Sequence, residues 1–175
     1  NNMKLSIVLP CYNEEKNIPL ILEKFNNCIK TTDIELILVN NGSTDCSDNV
    51  LKKLIPKYSF AKTVKLEVNE GYGYGITQGL NSAKGEFICY THADMQTDPE
   101  DVLKGLEIII KSPNPENCFV KGDRKGRGFL DQFFTTGMSV FETIYMGTML
   151  WDINAQPNIL HRDFFNSLDN IPKDF

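Results

Sequence analysis

The chain has 175 residues, the size of one ordinary domain, and its 41% hydrophobic content is enough for a sizeable core. A net charge of −5 without an extended basic stripe excludes a general nucleic-acid binder. Five cysteines with no C-x-x-C pair, beside only two histidines, do not make a zinc site of the usual kind and fit a reducing cytoplasm.

Strand-like and helix-like patterns alternate along the chain. Residues 5–9 are a short apolar run stopped by Pro10, and residues 17–29 place Ile18, Ile21, Leu22, Phe25 and Ile29 at helical spacing. Residues 34–39 repeat the strand pattern, Ser43 or Thr44 is positioned to cap a helix over 46–55, and residues 64–68 read as a third strand. Residues 75–83 read as a helix ending at Lys84-Gly85, followed by a strand over 86–90. Pro99 opens a helix that runs to Lys111, and residues 118–121 form a fifth short strand. Such alternation predicts an α/β fold, a mostly parallel sheet flanked by helices, with ligands at the carboxyl ends of the strands. No internal repeat or linker divides the chain.

The polar residues gather at those carboxyl ends. After the first strand comes Pro10-Cys11-Tyr12-Asn13-Glu14, after the second Asn40-Asn41-Gly42-Ser43-Thr44-Asp45, after the third Asn69-Glu70-Gly71, and after the fourth Thr91-His92-Ala93-Asp94-Met95-Gln96. Alternate side chains of an extended segment point the same way, so His92, Asp94 and Gln96 can converge on one divalent cation. The same residues also suit a polar loop that caps a strand, and each of the other loops is compatible with ordinary turn chemistry. Gly71-Tyr72-Gly73-Tyr74-Gly75 is not a dinucleotide fingerprint, because Ile76 stands where the last glycine belongs.

Taken together in this order and spacing, Pro-x-Tyr-Asn-Glu, Asn-Gly-Ser-Thr-Asp, Asn-x-Gly, Ala83-x-Gly85 and Ala-Asp-Met-Gln resemble family 2 glycosyltransferases of GT-A fold over roughly residues 4–127. Gln96, the segment Val120-Lys121-Gly122-Asp123-Arg124 and residues 152–162 resemble the branch of dolichyl- and polyprenyl-phosphate mannose synthases. The resemblance implies one GT-A domain, with a nucleotide-sugar-binding core over 3–127 and an acceptor-side helical segment over 128–175 that is C-terminally incomplete. It further implies a nucleotide-sugar donor, a Mg2+ or Mn2+ ion, inversion at the anomeric carbon, and a polyprenyl phosphate or a saccharide as acceptor. Carried over position by position, Pro10, Tyr12 and Glu14 line the base and ribose pocket, and Asn40 and Asn41 touch the base. Gly71 allows close approach, Ala93 lies against the ribose, and Arg124 or Arg127 meets phosphate. Asp94 is the expected essential metal ligand and, with Arg124, the expected catalytic residue; Gln96 and His92 complete the candidate metal set. Two departures stand out: the family usually has Asp-Asp at Asn40-Asn41 and Asp at His92. Asparagine offers one donor and one acceptor face where aspartate only accepts, which leaves base preference open, and the two departures also allow a nucleotide-sugar-binding protein without turnover as the alternative.

Residues 129–151 are rich in large apolar side chains and read as an amphipathic helix serving as core, dimer face, or membrane and lipid contact. Asp131, Gln132 and Glu142 interrupt the stretch, so no bilayer span is expected there. Asp152, Asp163, Asp169 and Asp174 are candidate acceptor-side carboxylates. The expected location is cytoplasmic, at the inner face of the plasma membrane.

Overall fold

In a computed structural model, the protein is described over residues 2–93, 98–122, 129–133 (backbone) and 157–166. Strands β1 (Leu5–Cys11), β2 (Ile34–Asn41), β3 (Ala61–Leu66), β4 (Phe87–Tyr90), β5 (Cys118–Gly122), β6 (Phe129–Phe133) and β7 (Asn158–His161) form one sheet in the order β3-β2-β1-β4-β7-β5-β6. β1 pairs parallel with β2 and β4, and β2 with β3, while β7 is antiparallel to both β4 and β5. β5 therefore points the same way as β4, and β6 returns antiparallel beside it. The chain begins in the centre, steps outward through β2 to β3, then crosses back to β4 on the other side of β1. That reversal opens a crevice at the carboxyl ends of β1 and β4, where open α/β sheets bind ligands.

Helices cover both faces, as the continuous burial of β1 and β2 requires. On one face, Ile7, Leu9, Leu36 and Leu38 pack against α1 (Ile18–Cys28), α2 (Ser47–Leu54) and α4 (Pro99–Lys111) through Ile21, Leu22, Phe25, Leu51 and Val102. On the other, Val8, Ile37, Val39 and Tyr90 pack against Ile76 of α3 (Tyr72–Ser82), with Phe164 and Phe165 of α5 (Arg162–Asn166) on the same side. α4 starts as its sequence dictates: the Asp98 carboxylate accepts from the Glu100 amide at 2.9 Å and Pro99 fills the first helical position.

The differences from the sequence reading have local causes. The third strand lies earlier, because Ala61 to Leu66 align with Leu36 to Asn41 and β2 has no further backbone to offer; Val68 is left 65% exposed. α3 starts at Tyr72 because Gly71, at φ 105, turns the chain and its carbonyl takes the first helical bond from Gly75 N–H. Neither Ser43 nor Thr44 caps α2; Asp45 Oδ1 accepts from Ser47 N–H at 2.9 Å. The helical reading of residues 128–175 is corrected at two stretches, while residues 162–166 are helical. Residues 129–133 form strand β6, which covers the open edge of β5, and residues 158–161 form β7 between β4 and β5. Aromatic and β-branched residues suit either state, and the unpaired backbone of a neighbouring strand selects the extended one. The remaining positions from 134 to 156 lie outside the described residues. Among the described residues no helix is long and apolar enough to cross a membrane.

A buried polar network closes the edge of the sheet opposite the crevice. Glu35, 6% exposed, accepts from Ser6 Oγ at 2.6 Å and from Lys84 N–H at 2.7 Å, and pairs with Lys62 Nζ at 2.8 Å. Ser6 Oγ in turn accepts from Gly85 N–H, while Arg162 donates to the carbonyls of Gly85 and Ala83. Burial alone pushes the Glu35 carboxyl up; the hydrogen bonds from Lys62, Ser6 and Lys84, with the Lys62 charge, outweigh it and hold the group below the usual carboxylate range. The Lys62 side chain is 34% exposed, so water compensates part of the loss, and Glu35→Gln is expected to lower stability by about 2 kcal/mol at neutral pH, the value of a hydrogen bond to a charged group. A depressed carboxyl contributes stability that is complete above its unfolded pKa of about 4.3 and is lost as pH falls through the folded value. Urea titrations of parent and variant across this range should show the gap holding at pH above about 5 and closing in more acid solution.

Candidate functional site

The crevice is a cleft of about 210 Å³ lined by Pro10, Cys11, Tyr12 and Glu14 after β1, Asn41 at the end of β2, Tyr72 at the head of α3, and His92 and Ala93 after β4. A pocket that encloses a drug-sized ligand measures roughly 300–1,000 Å³, so this volume suits a base and ribose better than a whole nucleotide sugar.

Asn41 is the most constrained polar group in the lining. It is 3% exposed, and its Nδ2 donates to Gly71 O at 3.1 Å. A Cβ on Gly75 would lie 3.0 Å from Nδ2 and 3.4 Å from Pro10 Cβ, so a larger residue there would make the amide shift by a few tenths of an ångström. With the donor end fixed on a carbonyl, Oδ1 is the other end of the amide, and it is buried with no donor among the described residues bonded to it. A buried acceptor without a partner is costly, which marks the place where a ligand N–H or O–H belongs.

Asn40 is used differently. Its Oδ1 accepts from Ser43 N–H at 3.2 Å and its Nδ2 reaches Asp48 at 3.4 Å, which ties the loop after β2 to the first turn of α2. The loop after β1 is held by a residue the sequence reading passed over. Asn13, at φ 54, accepts on Oδ1 from Thr44 N–H at 2.8 Å and Asp45 N–H at 3.2 Å, while its own N–H donates to Ser43 Oγ. Ser47 Oγ accepts from Glu14 N–H, and Asn17 Nδ2 donates to the Glu14 carboxylate at 2.6 Å. The signal for Asn13 was its residue type, since asparagine is the side chain that most readily takes a left-handed backbone and bonds locally.

Burial, and secondarily Glu14, pushes the Cys11 thiol far above its ordinary range, which removes it as a nucleophile. Tyr12 is 47% exposed at the mouth, and the His92 ring stacks on Tyr72 with centroids 4.3 Å apart and planes 28° apart. Asp94, Gln96, Arg124 and Arg127 lie outside the described residues. Among the described residues no cluster of three His, Cys, Asp or Glu side chains that could hold a metal is present, so the metal reading rests on Asp94 and Gln96 as read from the sequence. Their donors, a carboxylate and an amide oxygen, suit Mg2+ or Mn2+. Of the acceptor-side carboxylates, Asp163 is a correction. β7 runs antiparallel to β4, so His161 pairs with Phe87 at the far edge, and Asp163 contacts His161 there with its side chain 81% exposed. Asp152, Asp169 and Asp174 lie outside the described residues.

The profile of glycosyl transferase family 2 matches residues 6–162. The chain belongs to glycosyl transferase family 2. Among curated relatives it is 32% identical over 155 residues to the dolichyl-phosphate beta-glucosyltransferase of Mus musculus, covering 82% of this chain and 47% of that one. It is 36% identical over 102 residues to the undecaprenyl-phosphate 4-deoxy-4-formamido-L-arabinose transferase of Photorhabdus laumondii, covering 57% of this chain and 31% of the relative. The chain thus spans less than half the length of either protein. Among solved structures, the mannosyltransferase PcManGT from Pyrobaculum calidifontis, in complex with GDP-Man and Mn2+, superposes with a TM-score of 0.72. That match has 16% identity and covers 99% of this chain and 49% of the other, which establishes the GT-A fold.

The Asn13 latch separates two contributions to the loop. Asn13→Ala loses the amide acceptor and strains a left-handed backbone, whereas Asn13→Gly loses only the acceptor. Thermal unfolding is expected to show a loss of about 1 kcal/mol for glycine and about 2 kcal/mol or more for alanine.

Proposed function

We propose that this chain is the donor-binding core of a metal-dependent, inverting glycosyltransferase that moves a sugar from a nucleotide diphosphate donor to a polyprenyl phosphate. The observation that carries the reading is the orphaned Asn41 Oδ1, buried in the wall of a nucleoside-sized cleft at the topological switch point. Both curated relatives named above are transferases to a lipid phosphate, which favours the same acceptor class.

The roles follow from the chemistry of each position. Asn41 Oδ1 accepts the ring N–H of the base, with Tyr12 and Pro10 beside it as an apolar and aromatic wall. Glu14 and Ala93 flank the ribose. Asp94 and Gln96 would hold the divalent ion, which when bound neutralises charge on the departing nucleoside diphosphate. Arg124 or Arg127 pairs with phosphate, for which the planar guanidinium fork is suited. A phosphate acceptor is already anionic and attacks without a strong general base, which fits a site whose described residues present no acceptor-side carboxylate.

Because the Asn41 donor is already bonded to Gly71 O, the free acceptor selects bases with a ring N–H. Uracil and guanine offer one; cytosine presents an acceptor there. Calorimetry in Mn2+ is expected to show UDP or GDP binding at least about tenfold more tightly than CDP, the value of one hydrogen bond gained against one buried mismatch. Asn41→Ala should erase that preference, and equal affinity for CDP in the parent would refute the assignment. Asp94→Ala should leave the fold intact and abolish the metal dependence of binding.

Turnover by the full-length protein tests the acceptor. Short-chain polyprenyl phosphates should be glycosylated and soluble saccharides should not. Arg124→Ala is expected to reduce the rate by about a hundredfold, the usual loss when one stabilising donor is removed from a developing charge. Asp163→Asn, on the opposite edge, should leave it unchanged. Robust transfer to a saccharide with no lipid product would replace the lipid phosphate by a sugar hydroxyl.

A further inference from the structure

The loops after β2 and β3 close on each other at the carboxyl edge of the sheet, and two residues outside the cleft lining hold them there. Asn69 Oδ1 accepts from Gly71 N–H at 2.9 Å, the local turn that asparagine makes with the residue two places on. Gly42, at φ 68, lies directly against that turn, and a Cβ on it would run into the backbone of Val68 and Asn69. Its N–H donates to Asn40 O at 3.0 Å, which fixes the close approach from the β2 side as well. The Gly71 carbonyl has two tasks: it accepts from Gly75 N–H at 3.2 Å, which starts α3, and from Asn41 Nδ2 at 3.1 Å. Glycine has the softest backbone of any residue, and at φ 105 the α3 bond holds Gly71 from its C-terminal side only. The peptide that enters Gly71 is held by Asn69.

We propose that Asn69 is a positioning residue for base selection, acting through Gly71 on Asn41, and that Gly42 provides the room for it to do so. The relay runs from Asn69 Oδ1 to Gly71 N–H, through that one glycine to its carbonyl, and on to Asn41 Nδ2. This inference rests on the donor-site reading in which Asn41 meets the base, and it deepens that reading by naming what sets the amide. An asparagine amide donates at one end and accepts at the other, and turning it over exchanges the two. While Gly71 O stays in place, Nδ2 is held on it and Oδ1 is left for the ligand. Once the Gly71 peptide swings, either end can meet the base, and a base with a ring N–H loses its advantage over one with a ring acceptor. A residue that merely shaped the turn would weaken every nucleotide alike.

The readout is therefore a ratio, the affinity for UDP or GDP, whichever the parent binds more tightly, over that for CDP, measured by calorimetry in Mn2+. Asn69→Ala is expected to cut the parent preference of at least about tenfold to about threefold or less, the scale of one hydrogen bond. Asn69→Asp keeps an acceptor at the same atom and should stay within about twofold of the parent ratio, whereas Gly42→Ala, which forces the two loops apart, should lower the ratio as Asn69→Ala does. Adding Asn69→Ala to Asn41→Ala should remove no further preference, because the relay ends at Asn41. Asn69 is exposed, so its truncation leaves no buried group unpaired, and thermal unfolding should remain close to that of the parent. Equal weakening of both nucleotides in Asn69→Ala, with the ratio kept, would overturn the proposal and leave Asn69 an ordinary turn former. Loss of the ratio in Asn69→Asp to the same extent would overturn it too, since the acceptor is then not what matters. Should Asn69→Ala fail to fold, Asn69→Ser makes the same turn more weakly: a ratio between those of the parent and Asn41→Ala supports the relay, and the full parent ratio refutes it. If the parent does not distinguish UDP or GDP from CDP, the donor-site reading fails first and the proposal falls with it, a result seen before any Asn69 variant is made.

Discussion

One amide organises the ligand edge of this protein. Asn41 ends a fully buried strand, and its side chain sits where the loops after three strands meet. Its hydrogen bond to Gly71 O determines which end of the amide faces the cleft, and Gly75 leaves just enough room for the helix behind it. The low helix propensity of Gly75 and Gly79 is therefore tolerated for a geometric reason. α3 has to lie close to β1 and β2, and larger residues would push it away. The orientation of the amide and the packing of α3 are here the same contact seen from two sides.

The opposite edge works by satisfaction rather than vacancy. Glu35, Ser6, Lys62, Lys84 and Arg162 leave their shared acceptors and donors paired, and they fasten the corner between α3 and β4 to three strands and to α5. A rigid lower rim lets the upper rim carry an unsatisfied group without the sheet loosening around it. Arg162, which closes the stretch that resembles lipid-phosphate synthases, is on this rim and acts on backbone carbonyls away from the cleft. A matched residue in a family motif can thus be a fastener.

The alternation of strands and helices was readable because α1 and α4 carry apolar residues at helical spacing and the central strands β1, β2 and β4 are mostly apolar. Pro10, Tyr12, Glu14, Asn41, His92 and Ala93 were also readable as a group, since a parallel sheet delivers every strand end to one edge. Three things were hidden. Which of two adjacent asparagines faces the cleft depends on the pleat and on Gly71, neither of which sequence spacing records. Asn13 looked like one polar residue in a turn, and its latch appears only when the second loop lies beside the first. β7 was invisible because four residues are too few for a periodic signal and their partners lie far away in the chain.

That short strand has an outsized effect on how the domain can assemble. β5 and β6 have no ladder with the parallel half of the sheet except through β7, which is wedged between β4 and β5. Until residues 158–161 arrive, β4 has a bare edge and the β5–β6 hairpin has nowhere to dock. During synthesis the parallel half can collapse early around local strand and helix contacts, while the seam waits for a segment about seventy residues downstream of its partner strand. The interval exposes an apolar strand edge, the kind of surface that pairs with other chains. The last strand of the described sheet to be made is therefore the one that joins its two halves, and a ribosome stalled before it would display a cleft already lined but not yet supported on its β4 side.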